Sequence, residues 1–196
     1  LEREARATAI VCAMAELESL TRETIRRTHQ ELNSSALEHK VLSRCLRQLA
    51  AHDAFESLRY LQDHEKVWTT RFFATTLDAS SDVLGLPLPR KGPQPPLDGR
   101  TLKPSHFYRI WEIYGLPGDV FPTVGWAASL QKLAMLRNDI AHANVPFSEI
   151  FKQAGVSTSE VESYVDDISS FALHFTTCWQ EFLQRKLYLQ DGARPQ

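Results

Sequence analysis

Residues 126–143 read WAASLQKLAMLRNDIAHA, and the order of apolar and polar positions in this stretch decides how the chain folds. At about 100° per residue, Trp126, Leu130, Leu133, Leu136, Ile140 and Ala143 gather on one side of a helix, in the i, i+3, i+4, i+7 rhythm of a core-facing element. Asn138 and His142, four apart and so neighbours on a helix surface, fall roughly opposite that stripe and share their face with Met135. Arg137 is placed on the flank of the stripe, where its stem can cover apolar surface while the guanidinium reaches the polar side. Pro146 disfavours helical geometry at Val145, so the helix is predicted to end near Asn144, with His142 in its last turn.

Those three polar side chains suit one kind of chemistry. Arg137 is always cationic and can fork onto two oxygens of a phosphate. His142 carries the side chain that exchanges protons near neutral pH. Asn138 can donate and accept hydrogen bonds beside both. An exposed Asn and His near a helix end, with an Arg beside them, also occur on ordinary solvated surfaces, and spacing alone does not separate the two readings.

Outward from this stretch the sequence reads as helix after helix. Ile10, Met14, Leu17, Thr21 and Ile25 mark a first helix. Ser35 and Glu38 have the spacing of a capping box opening a second, with Leu37, Val41, Leu42, Cys45, Leu46 and Leu49 along it; Asp53 with Glu56 is predicted to cap a third. Trp68, Phe72 and Phe73 extend this region as an aromatic-rich helical piece, read as core in preference to a base-stacking platform. Phe107, Ile110, Trp111 and Tyr114 predict a short helix stopped by Gly115 and the Pro117-Gly118 turn. Ser157 and Glu160 form a second capping box, opening what is read as the last and longest helix, with Val161, Tyr164, Val165, Ile168, Phe171, Ala172, Phe175, Trp179, Phe182 and Leu183 on its apolar face. Residues 191–196 are read as a frayed tail.

One segment breaks the pattern. Residues 85–104 hold six of the ten prolines and three of the eight glycines, which excludes regular structure, and twenty residues is long for a connection within a domain. Arg90, Lys91, Arg100 and Lys103 against Asp98 make it locally basic. It is read either as a gate or docking element or as a solvated excursion.

The global numbers bound the function. With 196 residues, 43% of them hydrophobic, the chain is read as a single all-α domain spanning 1–196, with the Pro-rich segment as an insertion loop. Twenty-two basic against 24 acidic residues give a net charge of −2, which argues against a general nucleic-acid binder and requires any RNA contact to be local. Cys12, Cys45 and Cys178 are odd in number and far apart, and are read as reduced, buried thiols. No run approaches the ~18 apolar residues of a membrane span, and the N-terminal stretch is charged without the apolar run of a leader, so a cytoplasmic protein with no membrane partner is expected. There is no paired Cys-x-x-Cys site, no phosphate-cradling Gly-rich loop and no Gly-x-Ser-x-Gly elbow, so neither metal nor cofactor is expected.

Arg137, a polar residue directly after it, three more positions and then His142, in the local form Leu-Arg-Asn-x-Ile-Ala-His-Ala, resembles the signature of the HEPN superfamily of all-helical ribonucleases. The resemblance implies an up-and-down bundle of four or five helices, a homodimer with two motifs facing each other across a cleft, and metal-independent cleavage of RNA. Arg137, Asn138 and His142 are then the catalytic residues. The string resembles most the HEPN groups of bacterial toxin and phage-defence loci, which implies an antitoxin or sensor protein as a further partner. A subgroup paired with nucleotidyltransferase antitoxins carries a Tyr two positions after the His; Asn144 stands there in this chain, so control by modification of that Tyr does not transfer.

On this reading His142 handles the protons of the 2′-hydroxyl and leaving oxygen, Arg137 meets the charge on the phosphoryl oxygens, and Asn138 orients the phosphate or the imidazole. Attack by the 2′-hydroxyl predicts 2′,3′-cyclic phosphate and 5′-hydroxyl ends and no cleavage of DNA. Glu16 and Glu18 on the first helix are candidates for an assisting acid or orienter, against a plain ion-paired surface. The competing class of function is a non-catalytic helical module of the same fold, in which the motif stabilises a dimer or contacts another subunit.

Overall fold

Polar residues at the helix boundaries set where this chain turns. The computed structural model describes residues 2–76, 85–89, 91–142 and 146–193. These contain α1 (Glu2–Ser34), α2 (Arg44–Ala50), α3 (His52–Leu58), α4 (His64–Thr76), α5 (Pro104–Tyr114), α6 (Val124–His142), α7 (Phe147–Ala154) and α8 (Thr158–Gln184). There is no strand among the described residues; Leu42 and Leu189 form an isolated antiparallel bridge. The fold is all-α, as the apolar rhythm predicts. Among the described residues no helix is long and apolar enough to cross a membrane.

The capping box before α8 forms as read: the Glu160 N–H donates to Ser157 Oγ at 3.3 Å, and the Ser157 N–H donates to Glu160 Oε2 at 2.8 Å. The Ser157 hydroxyl, which donates to Glu160 Oε2 at 2.6 Å, and after it this N–H bond hold the Glu160 carboxyl below its usual range. α8 spans 27 residues, but α1 spans 33 and is the longer. Within α1 the Thr21 hydroxyl bonds back to the Leu17 carbonyl at 2.8 Å, so it does not interrupt the helix.

The other two predicted caps do not form. Ser35 Oγ donates to the Leu32 carbonyl at 2.6 Å and Ala36 takes a left-handed φ of 53°, so this serine ends α1 instead of opening a helix. Leu37 follows this turn, Val41 ends a short 3-10 helix (His39–Val41), and α2 begins only at Arg44. α3 starts behind Ala51, which places Asp53 in its first turn and leaves Glu56 paired with Arg59 at 3.1 Å. Gly115 stops α5 as expected: at φ 65° it lets its own N–H and that of Leu116 reach the Trp111 carbonyl, at 2.8 and 3.2 Å. The tail is partly ordered, since Asp191–Ala193 close a 3-10 turn through Ala193 N–H to Gln190 O at 2.9 Å; residues 194–196 lie outside the described residues.

The chain falls into two compact units. The first comprises Leu1–Arg22, Arg100–Tyr108 and Gly118–Gln180. Its core is built from Ile10, Met14 and Leu17 of α1, Leu130, Leu133 and Leu136 of α6, and Ile168, Phe171 and Phe175 of α8. Phe107 of α5 meets Phe171 edge-on at 4.7 Å between centroids, and Phe121 stacks on Phe171 at 4.8 Å. Each such side chain contributes about 1.5–3 kcal/mol on burial. Polar contacts also hold α6: Ser129 Oγ donates to Asp167 Oδ2 at 2.5 Å, and Lys132 Nζ donates to the Ala154 carbonyl at 3.0 Å, at the left-handed Gly155 end of α7.

The second unit comprises Glu23–Gly99, Arg109–Pro117 and Glu181–Gln196. Ile25 of α1, Leu42, Leu46 and Leu49 around α2, Tyr114 of α5 and Phe182 of α8 are buried in it. The Pro-rich segment is fastened here: Asn33 bonds both the N–H (2.7 Å) and the carbonyl (2.9 Å) of Leu86, whose side chain is buried. It is therefore no solvated excursion in its described parts; Arg90 lies outside them.

Two burial expectations fail. Trp68 is 65% and Phe72 69% exposed, so the aromatic face of α4 is not core; α3 beside it buries no residue itself and so adds no apolar core there. The Phe73 side chain lies outside the described residues. Cys178 is buried, but Cys12 and Cys45 are exposed. Cys12 lies two positions, about 200°, from each of the fully buried Ile10 and Met14, and so faces away from the core.

Candidate functional site

α6 places the motif. Its buried residues are Ser129, Leu130, Leu133, Ala134, Leu136 and Ile140, a stripe that Ala134 makes wider than the periodicity predicts. Arg137 lies about 60° from Ala134, hence within the stripe and not on its flank. The side chain is half-buried. Asn138, at the margin, is also half-buried, and His142 in the last described turn is exposed. Ala143, Asn144 and Val145, where the sequence predicts the helix end, lie outside the described residues.

Arg137 and Asn138 are joined. Asn138 Oδ1 accepts from the Thr101 hydroxyl at 2.7 Å and from Arg137 Nη1 at 3.5 Å. Thr101 is only 9% exposed and belongs to the last residues of the Pro-rich segment. Leu102 next to it is buried and donates its N–H to Glu18 Oε1 at 3.3 Å, while the Lys103 N–H donates to His106 Nδ1 at 3.0 Å, as α5 begins. Of the two first-helix carboxylates, Glu18 thus joins this cluster and Glu16 is exposed to solvent.

His142 lies one turn beyond Asn138, with about 5–6 Å between Cβ atoms at that spacing. It borders a groove of about 460 Å³ together with Lys132, Met135 and Asp139 of α6 and Ile150 and Gln153 of α7. Met135 is 51% exposed. Arg137 and Asn138 are not among the described residues lining that groove. The three side chains therefore form a short ridge, with the bonded Arg–Asn pair at one end and the imidazole over the groove at the other.

Chemically the ridge offers a fixed cation, an amide whose oxygen is engaged and whose NH2 group keeps two donors, and a ring able to carry a proton. Such a set can hold a phosphate and move a proton beside it. Thr101, Lys132 and Gln153 are absent from the sequence reading. Thr101 stands 37 positions before Asn138 in a segment without periodicity, so no local signal points to it; the segment's basic composition draws attention to the region only.

No curated protein and no solved structure matches the chain at a significant level. A family model does: the one described as RiboL-PSP-HEPN matches residues 2–178 of the 196, and the chain, all-α and carrying its Arg–Asn–His ridge at the end of α6, belongs to that HEPN family.

Proposed function

We propose that this protein is a metal-independent endoribonuclease of the toxin or phage-defence kind. The observation that carries the reading is the ridge itself, with Arg137 and Asn138 bonded to each other and His142 exposed one turn on. His142 takes the proton of a 2′-hydroxyl; the 2′-oxygen attacks phosphorus, and the bond to the 5′-oxygen breaks. The imidazolium so formed returns its proton to the leaving 5′-oxygen, closing the count. Arg137 meets the charge on the phosphoryl oxygens, and the Asn138 NH2 group orients the phosphate.

An open ridge does not exclude water. A second copy of the chain docking on the face of Met135 and His142 encloses it and sets two motifs against each other, so the active form is read as a homodimer. RNA is the substrate, an antitoxin or sensor protein is the controlling partner, and the setting is the cytoplasm. Two observations favour a second reading, a non-catalytic interaction module: the net charge is −2, and Asp139 shares the groove with His142.

The test is cleavage of mixed cellular RNA in EDTA by the wild type, Arg137→Ala and His142→Ala, with analysis of the fragment ends. Cutting by the wild type alone, leaving 2′,3′-cyclic phosphate, is expected. No cutting by any of the three folded proteins moves the weight to the interaction module, and activity that appears only with added metal overturns the mechanism.

A further inference from the structure

We propose that Thr101 is a positioning residue of this site, its hydroxyl setting the orientation of the Asn138 amide and, through it, of the Arg137 guanidinium. The inference deepens the ribonuclease reading and rests on it for its effect on rate. The geometry determines every donor. A guanidinium carries only donors, so the Asn138 atom facing Arg137 Nη1 is the carbonyl oxygen, and the usual ambiguity between amide O and N is removed. The Thr101 hydroxyl, 2.7 Å from the same oxygen, is then the donor of that bond. With Oδ1 engaged on both sides, the NH2 group of Asn138 is turned away from Thr101, and both of its protons remain for a phosphate.

Thr101 is itself held. It is 9% exposed, and its neighbour Leu102 is anchored by a buried side chain and by the N–H bond to Glu18. The hydroxyl is therefore delivered by a fastened strap and does not search for its acceptor. Without it, Oδ1 keeps only the 3.5 Å contact with Arg137, at the outer limit of a hydrogen bond, and the amide is free to rotate. Leu102 and Glu18 serve the strap; Thr101 alone among these touches the motif.

The experiment compares Thr101→Val, which keeps the shape and removes the donor, with Thr101→Ser, which keeps the donor, and adds Asn138→Ala and the double variant. Two readouts are taken on the folded proteins: the steady-state constants for RNA cleavage, and the side-chain NH2 signal of Asn138 in 15N-edited spectra, identified by its loss in Asn138→Ala. Expected for Thr101→Val is a kcat lower by roughly tenfold, the worth of one lost hydrogen bond, with KM within about twofold, a displaced Asn138 signal, and wild-type behaviour restored in Thr101→Ser. The double variant is expected to be no slower than Asn138→Ala. An unmoved Asn138 signal in Thr101→Val overturns the proposal whatever the activity, as do losses that multiply in the double variant. A displaced signal in a protein whose wild type cuts no RNA overturns the ribonuclease reading and leaves the orientation of Asn138 by Thr101 standing.

Discussion

The Pro-rich segment meets two polar clusters, one at His29 and one at Asn138, and they differ in what they leave unused. At His29, which is fully buried, the Pro87 carbonyl lies 2.9 Å from Nδ1 and the Tyr114 hydroxyl 2.6 Å from Nε2. A carbonyl can only accept, so Nδ1 carries the proton and Tyr114 donates to Nε2. Gln94 Nε2 also stands 3.1 Å from Nδ1; two donors do not bond, and the Gln94 amide is satisfied by the carbonyls of Pro87 and Pro95 at 2.9 and 3.2 Å. Both ring nitrogens are thereby spoken for in a dry setting, and burial pushes the His29 pKa down to about 4 and the Tyr114 pKa well up. At Asn138 the same segment supplies one hydroxyl to one oxygen, and the amide protons and an exposed imidazole remain. A histidine with both nitrogens bonded and no solvent is structural; one at the end of an open ridge is available for chemistry.

Exchanging the two histidines for inert side chains is the strongest way to break this contrast. His142→Ala is expected to lower RNA cleavage by roughly 10²–10⁴-fold, the range of general acid–base catalysis, while its unfolding free energy stays within about 0.5 kcal/mol of wild type. His29→Leu is expected to do the reverse. Urea titration should show a loss of about 2–4 kcal/mol, because the buried Tyr114 hydroxyl loses its bond to Nε2, with the turnover of the folded fraction unchanged. Severe unfolding of His142→Ala, or a neutral His29→Leu, removes the distinction.

Acid sharpens it. The His29 pKa is about 4 in the folded chain against an ordinary 6.5, so between these values the unfolded chain binds the proton and the folded one does not. The stability that neutral His29 supplies is full above pH 6.5, declines as the pH falls towards 4, and changes no further below that. At ~1.4 kcal/mol per pH unit the decline is about 3 kcal/mol. Glu23, held down to about 2 by its bonds to Arg26 and then Arg27, stays ionised throughout this window. Urea titrations of wild type and His29→Leu at pH 7 and pH 4.5 should therefore converge at the lower pH; parallel losses in the two proteins would show that His29 is not the group that titrates.

These clusters also mark how far the sequence could be read. α6 with its buried stripe and α8 with its explicit cap are legible because that information is local: Leu130, Leu133, Leu136 and Ile140 announce a face, and Ser157 with Glu160 closes its own box. Ser35 and Glu38 have the same spacing and fail, since the serine hydroxyl finds the Leu32 carbonyl first, a competition that composition does not display. The spacing of Arg137, Asn138 and His142 marks them as candidates. Their partner Thr101 is not so marked, because a hydrogen bond spanning 37 positions leaves no periodic trace. Arg137 reads as a flank residue because its charge hides its place on the wheel: Leu130, seven positions away and so only about 20° beyond it, already carries the stripe past it, and the buried Ala134 extends it further.

The smallest expected effect lies on α4, where an aromatic sequence and a buried one part company. The fully buried Phe171 and Phe182 stand for the ordinary case, in which truncation costs several kcal/mol. Phe72 is exposed, so Phe72→Ser is expected to change the unfolding free energy by no more than about 0.5 kcal/mol. Trp68 is as open, but the Arg71 guanidinium lies over its ring at 5.1 Å from the centroid, and an exposed cation–π contact contributes about 0.5–1 kcal/mol. Trp68→Ser should therefore be the slightly costlier of the two, and Arg71→Gln should remove the difference. A double-mutant cycle by urea titration reads this directly. If Phe72→Ser alone costs more than about 1.5 kcal/mol, its ring is covered in solution and the aromatic face of α4 belongs with the core after all; if the Trp68 and Arg71 losses simply add, the contact between them carries no energy and exposure by itself accounts for both.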